Sequence, residues 1–453
     1  MRKTWSHHGR DLGRRKGFHD MSYVIAAPEL MGSAAAELAI IESRLGEANA
    51  AAATSTTRVL AAAADEVSAA VVELFSGHGW EFQALSAQAA AFQSRFIATL
   101  TMSAESFLGA EAANLSALGN SIWTEIFGSP AIEPVPAGET PRFSGTQSLL
   151  TRLETAALRP VKAFLTWSGI YDQLGVLNSP VQQLFVSGLL NPLFSDSPPR
   201  LLTTLLGETV RYTSYEGMQV VEIVPAHPTG NYVVALHGGA FLWPPMIFHW
   251  LGYSVMAYQT GATFAVPIYP LIQQGGTAGT VVPKVAGYIS TQIAAHGASN
   301  VSVLGDSAGA TIGLSAVQYL VAHNQAVPRS MVLLSPLLDQ RLVNPNLGLI
   351  DDPFLPDRSN GIYRANQLWA GDLALTDPLV SPLFGSLEGL PPTYVYAGSL
   401  DPVAPDQFIL AQNAVSQSAP ISFVLATGGF HDWVLLSPGG LRYWPQIERE
   451  LGI

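Results

Sequence analysis

The amino-acid sequence predicts an α/β domain, with a mostly parallel sheet and flanking helices, preceded by an α-helical hairpin. Two observations predict this division. Short apolar runs at 232–235, 301–304 and 393–397 have the length and composition of buried parallel strands. Residues 22–118 are instead rich in alanine, with apolar residues at helical spacing and almost no strand signal.

Length and composition restrict the function. The 453 residues suffice for about two or three domains with a large core. A formal net charge of -12 argues against nucleic acid as a partner. Cysteine is absent, which excludes disulfides and thiol chemistry but leaves the compartment open. The sequence shows no metal-ligand cluster and no phosphate-binding loop, so we expect no metal and no cofactor.

Residues 246–266, a stretch without proline or charge, raise the question of a membrane span. It contains His249, Gln259 and internal glycines, and prolines bracket it. A helix and a strand buried inside the domain explain it better, so we expect no transmembrane segment.

The first 20 residues differ in character from the rest. Residues 1–20 are basic and lack the apolar core of a secretory signal peptide. A disordered tail would account for them, and so would a start assigned too far upstream, with Met21 as the true first residue. We favour the second interpretation.

Residues 21–118 are expected to form a hairpin of two long helices. The Pro28-Glu29 pair suits a helix start, and a second helix is expected to begin near Asp65-Glu66. The two apolar faces exceed what a two-helix unit can bury between its own helices; they carry Leu38, Ile41, Leu45, Phe92, Phe96 and Leu100. The hairpin therefore either packs in a bundle with the rest of the chain or binds a separate helical partner.

The remaining chain divides at changes in composition. Residues 119–147 are rich in Pro, Gly and Ser and are expected to be an interdomain linker. Residues 148–206 show helical patterns interrupted by prolines, and 207–225 show a strand pair that turns at Glu216-Gly217. Residues 344–368 form a second candidate insertion of cap type.

The chemistry is expected at Val301–Gly309, which reads VSVLGDSAG. An apolar strand, a sharp G-x-S-x-G turn and a helical pattern follow one another here. That context makes the motif a nucleophile elbow, in which the serine is held at the carboxyl end of the sheet. Ser307 is therefore the candidate nucleophile.

A serine nucleophile also needs a base and an orienting acid. In α/β-hydrolases these follow in the order Ser, Asp or Glu, His. His431 follows a strand-like run well downstream, whereas His323 belongs to the helix that leaves the elbow. Asp401 follows the strand-like run 393–397 and is the best candidate acid, with Asp406 and Asp432 as alternatives.

The third requirement is a set of N–H donors for the developing oxyanion. After the strand-like run 232–235 the chain reads Leu236-His237-Gly238-Gly239-Ala240. Consecutive glycines let backbone N–H groups point at a developing negative charge. We expect the donors to be Gly238, Gly239 and, from the elbow, Ala308.

Five motifs together resemble the hormone-sensitive-lipase branch of the α/β-hydrolases: HGGA (237–240), GDSAGA (305–310), DPLVSP (377–382), SLDP (399–402) and HDW (431–433). The resemblance covers about two-thirds of the chain. It implies an α/β-hydrolase domain over residues 148–453, with 148–206 as a cap over the active site, and a serine ester hydrolase that acts on acyl lipids without a cofactor. Ala240 and Ala310 replace glycines of the family pattern, which narrows the space beside the reacting carbonyl.

The hairpin resembles the mycobacterial PE domain, named for the Pro-Glu pair that is Pro28-Glu29 here. This resemblance implies pairing with a PPE-type helical protein and export by the type VII secretion machinery to the cell surface, the cell wall or the medium. The family's secretion signal, Tyr-x-x-x-Asp/Glu, corresponds to Phe107 and Glu111, so a phenylalanine replaces the tyrosine.

The combined hypothesis is a secreted serine ester hydrolase of the triacylglycerol lipase type. Two alternatives remain. One is a carboxylesterase for short acyl chains, since the sequence does not give the shape of the cap. The other is a PE export and interaction module with a weak hydrolase.

Overall fold

The computed structural model describes residues 28–108, 131–191, 193–356 and 361–453. The chain divides into two units, Met1–Gly119 and Asn120–Ile453, which are considered separately. The basic extension of residues 1–20, Met21 and Glu111 lie outside the described residues.

The first unit is a pair of long helices, α1 (Pro28–Thr57) and α2 (Glu66–Leu108). Both begin where the sequence predicts. Side-chain amides connect the two helices: Gln83 donates to the Asn49 carbonyl at 3.2 Å and Gln93 to the Leu38 carbonyl at 3.3 Å. Helix α2 continues through Gly79, where a Cβ atom would overlap the backbone of Thr56. Glycine at this position therefore permits the close approach of the two helices.

Large apolar side chains remain exposed along the hairpin. None of the six residues that define its predicted apolar faces is buried, and Leu74 and Trp80 are each more than half exposed. Phe107 lies in the last turn of α2. The two helices of the hairpin therefore leave part of its apolar surface uncovered, as the sequence predicts.

The second unit contains one nine-stranded sheet in the order β1-β9-β8-β7-β6-β4-β5-β3-β2. Its strands are β1 (Val135–Pro136), β2 (Thr209–Tyr215), β3 (Met218–Val224), β4 (Tyr232–Leu236), β5 (Thr263–Ile268), β6 (Val301–Asp306), β7 (Met331–Leu334), β8 (Thr393–Gly398) and β9 (Ile421–Ala426). The strands from β9 to β5 pair in parallel, while β1, β2 and β3 pair antiparallel with their neighbours. The sheet is therefore mostly parallel, as predicted.

Helices cover both faces of this sheet. They are α3 (Leu149–Trp167), α4 (Ile170–Leu174), α5 (Pro180–Val186), α6 (Arg200–Leu205), α7 (Ile247–Thr260), α8 (Ala278–His296), α9 (Ser307–Ala322), α10 (Gly361–Ala370), α11 (Ala404–Ser416), α12 (Trp433–Leu436) and α13 (Trp444–Leu451). Alternate strand residues enter two apolar layers: Val303 packs in the layer with α8 and α9, and Leu304 in the layer with α7 and α13. Because both faces are buried, the central strands read as apolar runs in the sequence.

The apolar stretch 246–266 forms helix α7 and most of strand β5, as expected. His249 and Trp250 of α7 are buried within the domain. Over the described ranges, no helix is both long and apolar enough to cross a membrane.

The sequence predicts a linker over residues 119–147, but in the structure residues 131–147 pair with the sheet. Strand β1 pairs with β9, and the Ser144 N–H donates to the Leu425 carbonyl at 2.9 Å. No sequence pattern marks this pairing, because β1 has only two residues and includes Pro136, which a strand tolerates at a sheet edge. This part of the predicted linker therefore belongs to the sheet unit.

The cap segment, residues 148–206, contains helices α3 to α6, as the sequence predicts. The second insertion, residues 344–368, contains a short 3₁₀ helix at Pro345–Leu349 and most of α10. Lys162 of α3 binds Asp351 of this insertion at 2.8 Å, and Arg159 pairs with the same carboxylate. The two insertions are therefore in direct contact.

Candidate active site

Ser307 lies at a sharp turn between strand β6 and helix α9. Its φ of 48° is in the left-handed region, which is strained for a serine. At Gly309, a Cβ atom would overlap the Leu236 carbonyl oxygen, so only glycine fits there. The strand, the turn and the helix have the geometry of the nucleophile elbow that the sequence predicts.

Three side chains that follow three different strands meet at this turn. The Ser307 hydroxyl lies 2.7 Å from Nε2 of His431, which follows β9. Nδ1 of His431 lies 2.9 Å from Oδ1 of Asp401, which follows β8 and is fully buried. An ionised carboxylate can only accept, so Nδ1 carries the ring proton and Nε2 can accept the proton of the Ser307 hydroxyl. The structure thus brings together the three residues selected from the sequence.

The alternative acids occupy other positions. Asp406, on α11, accepts a hydrogen bond from the Asn344 amide at 2.7 Å, and burial raises its pKa to about 6 despite this bond. Asp432 lies near Nε2 of His431, at 3.4 Å, not near Nδ1. His323, at the end of α9, is exposed and binds the Tyr319 carbonyl.

Charge around His431 favours the imidazolium that forms during catalysis. Burial alone would lower the pKa of His431, but the charges of Asp432 and Asp401 outweigh it and raise the pKa to about 10. Burial also raises the pKa of Asp432 well above its usual range. Asp401 and Asp432 thus stabilise the positive charge that His431 acquires when it accepts the serine proton.

The loop after β4 carries the predicted oxyanion donors, and one of them is already occupied. The N–H of Gly238 donates to Oδ2 of Asp306 at 3.0 Å, and the same oxygen lies 2.8 Å from Nε2 of His249. The N–H that the sequence predicts as an oxyanion donor at Gly238 is thus already engaged in this structure. The Asp306 side chain makes this contact because it points toward the loop.

The neighbouring N–H groups are not engaged in this way. The backbone N–H groups of Gly239 and Ala240 make no hydrogen bond to another residue in the part of the chain that the structure describes. Ala308 is the second residue of α9, where a helical N–H has no partner within the helix. These three groups remain available to an anion beside Ser307.

Aromatic contacts fix this loop. His237 is fully buried and stacks on Tyr269 at a centroid distance of 4.3 Å; burial, followed by the neighbouring His249, lowers its pKa to about 3. A neutral His237 therefore lies behind the glycines. From the cap segment, Phe185 packs on Trp243 at 5.3 Å, so this segment covers part of the loop.

Two polar residues near the site were not assigned to it from the sequence. His249 supports the oxyanion loop through Asp306, as described above. Asp352, in the second insertion, accepts the backbone N–H of His431 at 2.9 Å. No motif marks either residue, because their partners lie far away in sequence. Across the described ranges, no group of three or more His, Asp or Glu side chains could hold a metal ion.

Comparisons with known proteins agree with this architecture. Residues 24–114 match the PE family, and residues 233–435 match the alpha/beta hydrolase fold. A triacylglycerol lipase of Mycobacterium tuberculosis is 52% identical, over 96% of this chain and 99% of that protein. Esterase PE16 of the same organism is 40% identical over 37% of this chain and 36% of its own length.

Among solved structures, a putative esterase from Staphylococcus aureus superposes with a TM-score of 0.53. It is 26% identical and covers 60% of this chain and 92% of its own. A hormone-sensitive lipase from a metagenome library, at 18% identity and a TM-score of 0.52, covers 66% of this chain and 98% of its own and supports the fold. Because the similarity to the mycobacterial triacylglycerol lipase extends over nearly the whole of both chains, this chain belongs to the same family of ester hydrolases, in which a PE domain precedes an α/β-hydrolase of the hormone-sensitive-lipase type.

Proposed function

We propose that the chain hydrolyses the ester bonds of acyl lipids, triacylglycerols in particular, through Ser307, His431 and Asp401. The observation that carries this proposal is the continuous hydrogen-bonded series from the Ser307 hydroxyl through His431 to the buried Asp401 carboxylate. The name of the mycobacterial relative supports the substrate class.

In the proposed mechanism, Oγ of Ser307 attacks the ester carbonyl while Nε2 of His431 takes the hydroxyl proton. The tetrahedral intermediate collapses, and His431 returns the proton to the leaving alcohol. Water, activated by the same nitrogen, then hydrolyses the acyl-enzyme and releases the fatty acid. Asp401 holds the ring tautomer throughout and stabilises the imidazolium.

We assign the oxyanion hole to the N–H groups of Gly239, Ala240 and Ala308. The occupied N–H of Gly238 supports this choice, because its acceptor is a carboxylate held in place by His249. Asp306 thus secures the loop to the elbow and leaves the next two N–H groups for the substrate. Donors that are held in place before the reaction need no reorganisation during it. This preorganisation supplies most of the catalytic effect of such sites.

The decisive experiment combines one substitution with a substrate series. Ser307→Ala is expected to lower turnover by about four to six orders of magnitude, as in other serine hydrolases with a triad. Ser416→Ala, at an exposed serine near the end of α11, is the matched control and should retain full activity. More than about a tenth of wild-type turnover in Ser307→Ala would remove Ser307 as the nucleophile.

The substrate series consists of p-nitrophenyl esters of increasing acyl length and emulsified triacylglycerol. A lipase should hydrolyse emulsified long-chain triacylglycerol. Hydrolysis restricted to short soluble esters would favour the carboxylesterase alternative. Hydrolysis of neither, in a folded protein, would favour the export module with a weak hydrolase.

We also propose that the hairpin directs export through a type VII secretion system, in complex with a PPE-type helical partner, to the cell wall or the medium. Its PE family match and its exposed apolar side chains support this role. Phe107 and Glu111 are the proposed secretion signal. Phe107→Ala should reduce the secreted fraction in a mycobacterial host without changing specific activity. Equal secretion in a host that lacks the type VII system would contradict the proposal.

A further inference from the structure

A short turn in the second insertion contacts the loop that carries His431. Asp352 in this turn is 2% exposed, and three backbone N–H groups fix its carboxylate. Oδ2 accepts from His431 at 2.9 Å, and Oδ1 accepts from Phe354 and Leu355 at 2.7 Å each. Both oxygens are therefore used, one within the turn and one on the histidine loop.

Two helices of the cap segment hold the same turn from its other side. Lys162 of α3 donates to the backbone carbonyl of Asp352 at 2.9 Å and to the Asp351 carboxylate at 2.8 Å. The hydroxyl of Tyr171, on α4, donates to the backbone carbonyl of Phe354. The turn is thus bonded to the cap segment on one side and to His431 on the other.

We infer that Asp352 is a positioning residue for His431. Its carboxylate fixes the backbone of the histidine loop, and its turn connects that loop to the cap segment. This inference rests on the proposed function, because it takes His431 as the base. The carboxylate of Asp352 binds backbone N–H groups, so it acts through the place it gives to the imidazole.

The geometry explains why this position matters. The ring of His431 must satisfy two partners at once, the Ser307 hydroxyl at 2.7 Å and the Asp401 carboxylate at 2.9 Å. Both contacts depend on where the backbone of residue 431 lies. A displacement of about 1 Å in a catalytic group can cost about 100-fold in rate. A hydrogen bond from the His431 N–H to a buried carboxylate is stronger than one to a neutral acceptor and therefore restricts this displacement.

Asp352→Asn tests the inference with almost no change of shape. Whichever way the amide is turned, an NH₂ group replaces an acceptor and faces either the His431 N–H or the N–H groups of Phe354 and Leu355. Asp351→Asn is the matched control, because Asp351 is exposed and its carboxylate binds Arg159 and Lys162 of the cap segment instead of the histidine loop. Ser307→Ala is measured alongside, all in the full chain.

We expect Asp352→Asn to lower kcat about 10- to 100-fold, with KM within about twofold of wild type. The carboxyl groups that face His431 are those of Asp401, Asp432 and Asp352, and each negative charge raises the pKa of the histidine. Removing the charge of Asp352 should therefore move the acid limb of the kcat/KM profile to lower pH. Asp351→Asn should keep kcat within about twofold.

Three results would each overturn the inference: an Asp352→Asn enzyme with kcat within about threefold of wild type, an equal loss in Asp351→Asn, or a loss with no displacement of the acid limb. If Asp352→Asn does not fold, as judged by circular dichroism, Asp352→Ser is assessed by the same criteria. Activity that survives Ser307→Ala would instead contradict the proposed function. Activity lost in Ser307→Ala but retained in Asp352→Asn would contradict this inference alone.

Discussion

Replacement of Asp401 by asparagine is the most informative test of the acid assignment. Oδ1 of Asp401 accepts from Nδ1 of His431 at 2.9 Å and from the Val403 N–H at 3.1 Å. Oδ2 has no hydrogen-bond partner among the described residues. An asparagine can therefore place its carbonyl oxygen where Oδ1 lies and its NH₂ group where Oδ2 lies. In that orientation the ring tautomer survives and only the negative charge is lost.

The magnitude follows from that charge. With charge centres roughly 4 Å apart and an effective dielectric constant of about 20, the imidazolium loses about 4 kcal/mol of stabilisation. This corresponds to about a 10³-fold loss in kcat, since each 1.4 kcal/mol is about tenfold. The opposite orientation would place NH₂ against Nδ1 and force the wrong tautomer, which costs about 10⁴-fold in a serine protease. We therefore expect a loss of about 10³- to 10⁴-fold, with the fold unchanged.

The assay is the pH dependence of kcat and kcat/KM on a soluble p-nitrophenyl ester. The charge of Asp401 and its hydrogen bond raise the pKa of His431, so Asp401→Asn should move the acid limb to lower pH. Asp406→Asn is the matched control, because Asp406 is equally buried but binds Asn344. Asp401 is not the orienting acid if Asp401→Asn retains more than about a tenth of wild-type kcat, or if Asp406→Asn or Asp432→Asn is the more damaging change.

Three further predictions concern stability. Gly309→Ala should lower both the Tm and the activity, because the added Cβ would overlap the Leu236 carbonyl. Gly138→Ala is the control and should leave both unchanged, because nothing lies within 4 Å of the added atom. Equal Tm values for the two variants would refute the steric argument. Burial raises the pKa of Glu450 to about 7. Between the ordinary pKa of a glutamate and this value, the native state therefore binds more protons than the unfolded state. This group consequently makes the free energy of unfolding fall as pH rises through that range. Glu450→Gln should therefore weaken the decline in urea unfolding free energy over this range, and an unchanged slope would contradict it. Finally, a chain that begins at Ser148 should have a lower Tm than one that begins at Asn120, because it lacks β1 and the Ser144 pairing with β9. Equal Tm values would show that residues 131–147 do not stabilise the sheet unit.

The positions of the three central site residues could be predicted from the sequence because each signal is local. Ser307, Asp401 and His431 each follow an apolar run of strand length, and parallel strands bring their carboxyl ends to one edge. Helices α1 and α2 also begin where their capping signals lie, at Pro28 and Glu66.

The remaining features depend on contacts that no local pattern records. Gly238 follows the expected motif, but its N–H is occupied by a side chain from residue 306. Asp352 reaches His431 across 79 positions of sequence. Strand β1 is too short for a periodicity, and its register is set by β9 alone.

The two borders of the sheet have a consequence for self-association. On one side, Pro136 has no N–H to offer an additional strand, and the strand that contains it spans two residues. On the other, Arg211, Thr213 and Ser214 of β2 are exposed, so the last strand carries polar and charged side chains. Such borders disfavour the addition of a strand from a second molecule and hence amyloid-like polymerisation. Aggregation of this protein is therefore expected to proceed through exposed apolar side chains, such as those of the hairpin, and shielding them should suppress it.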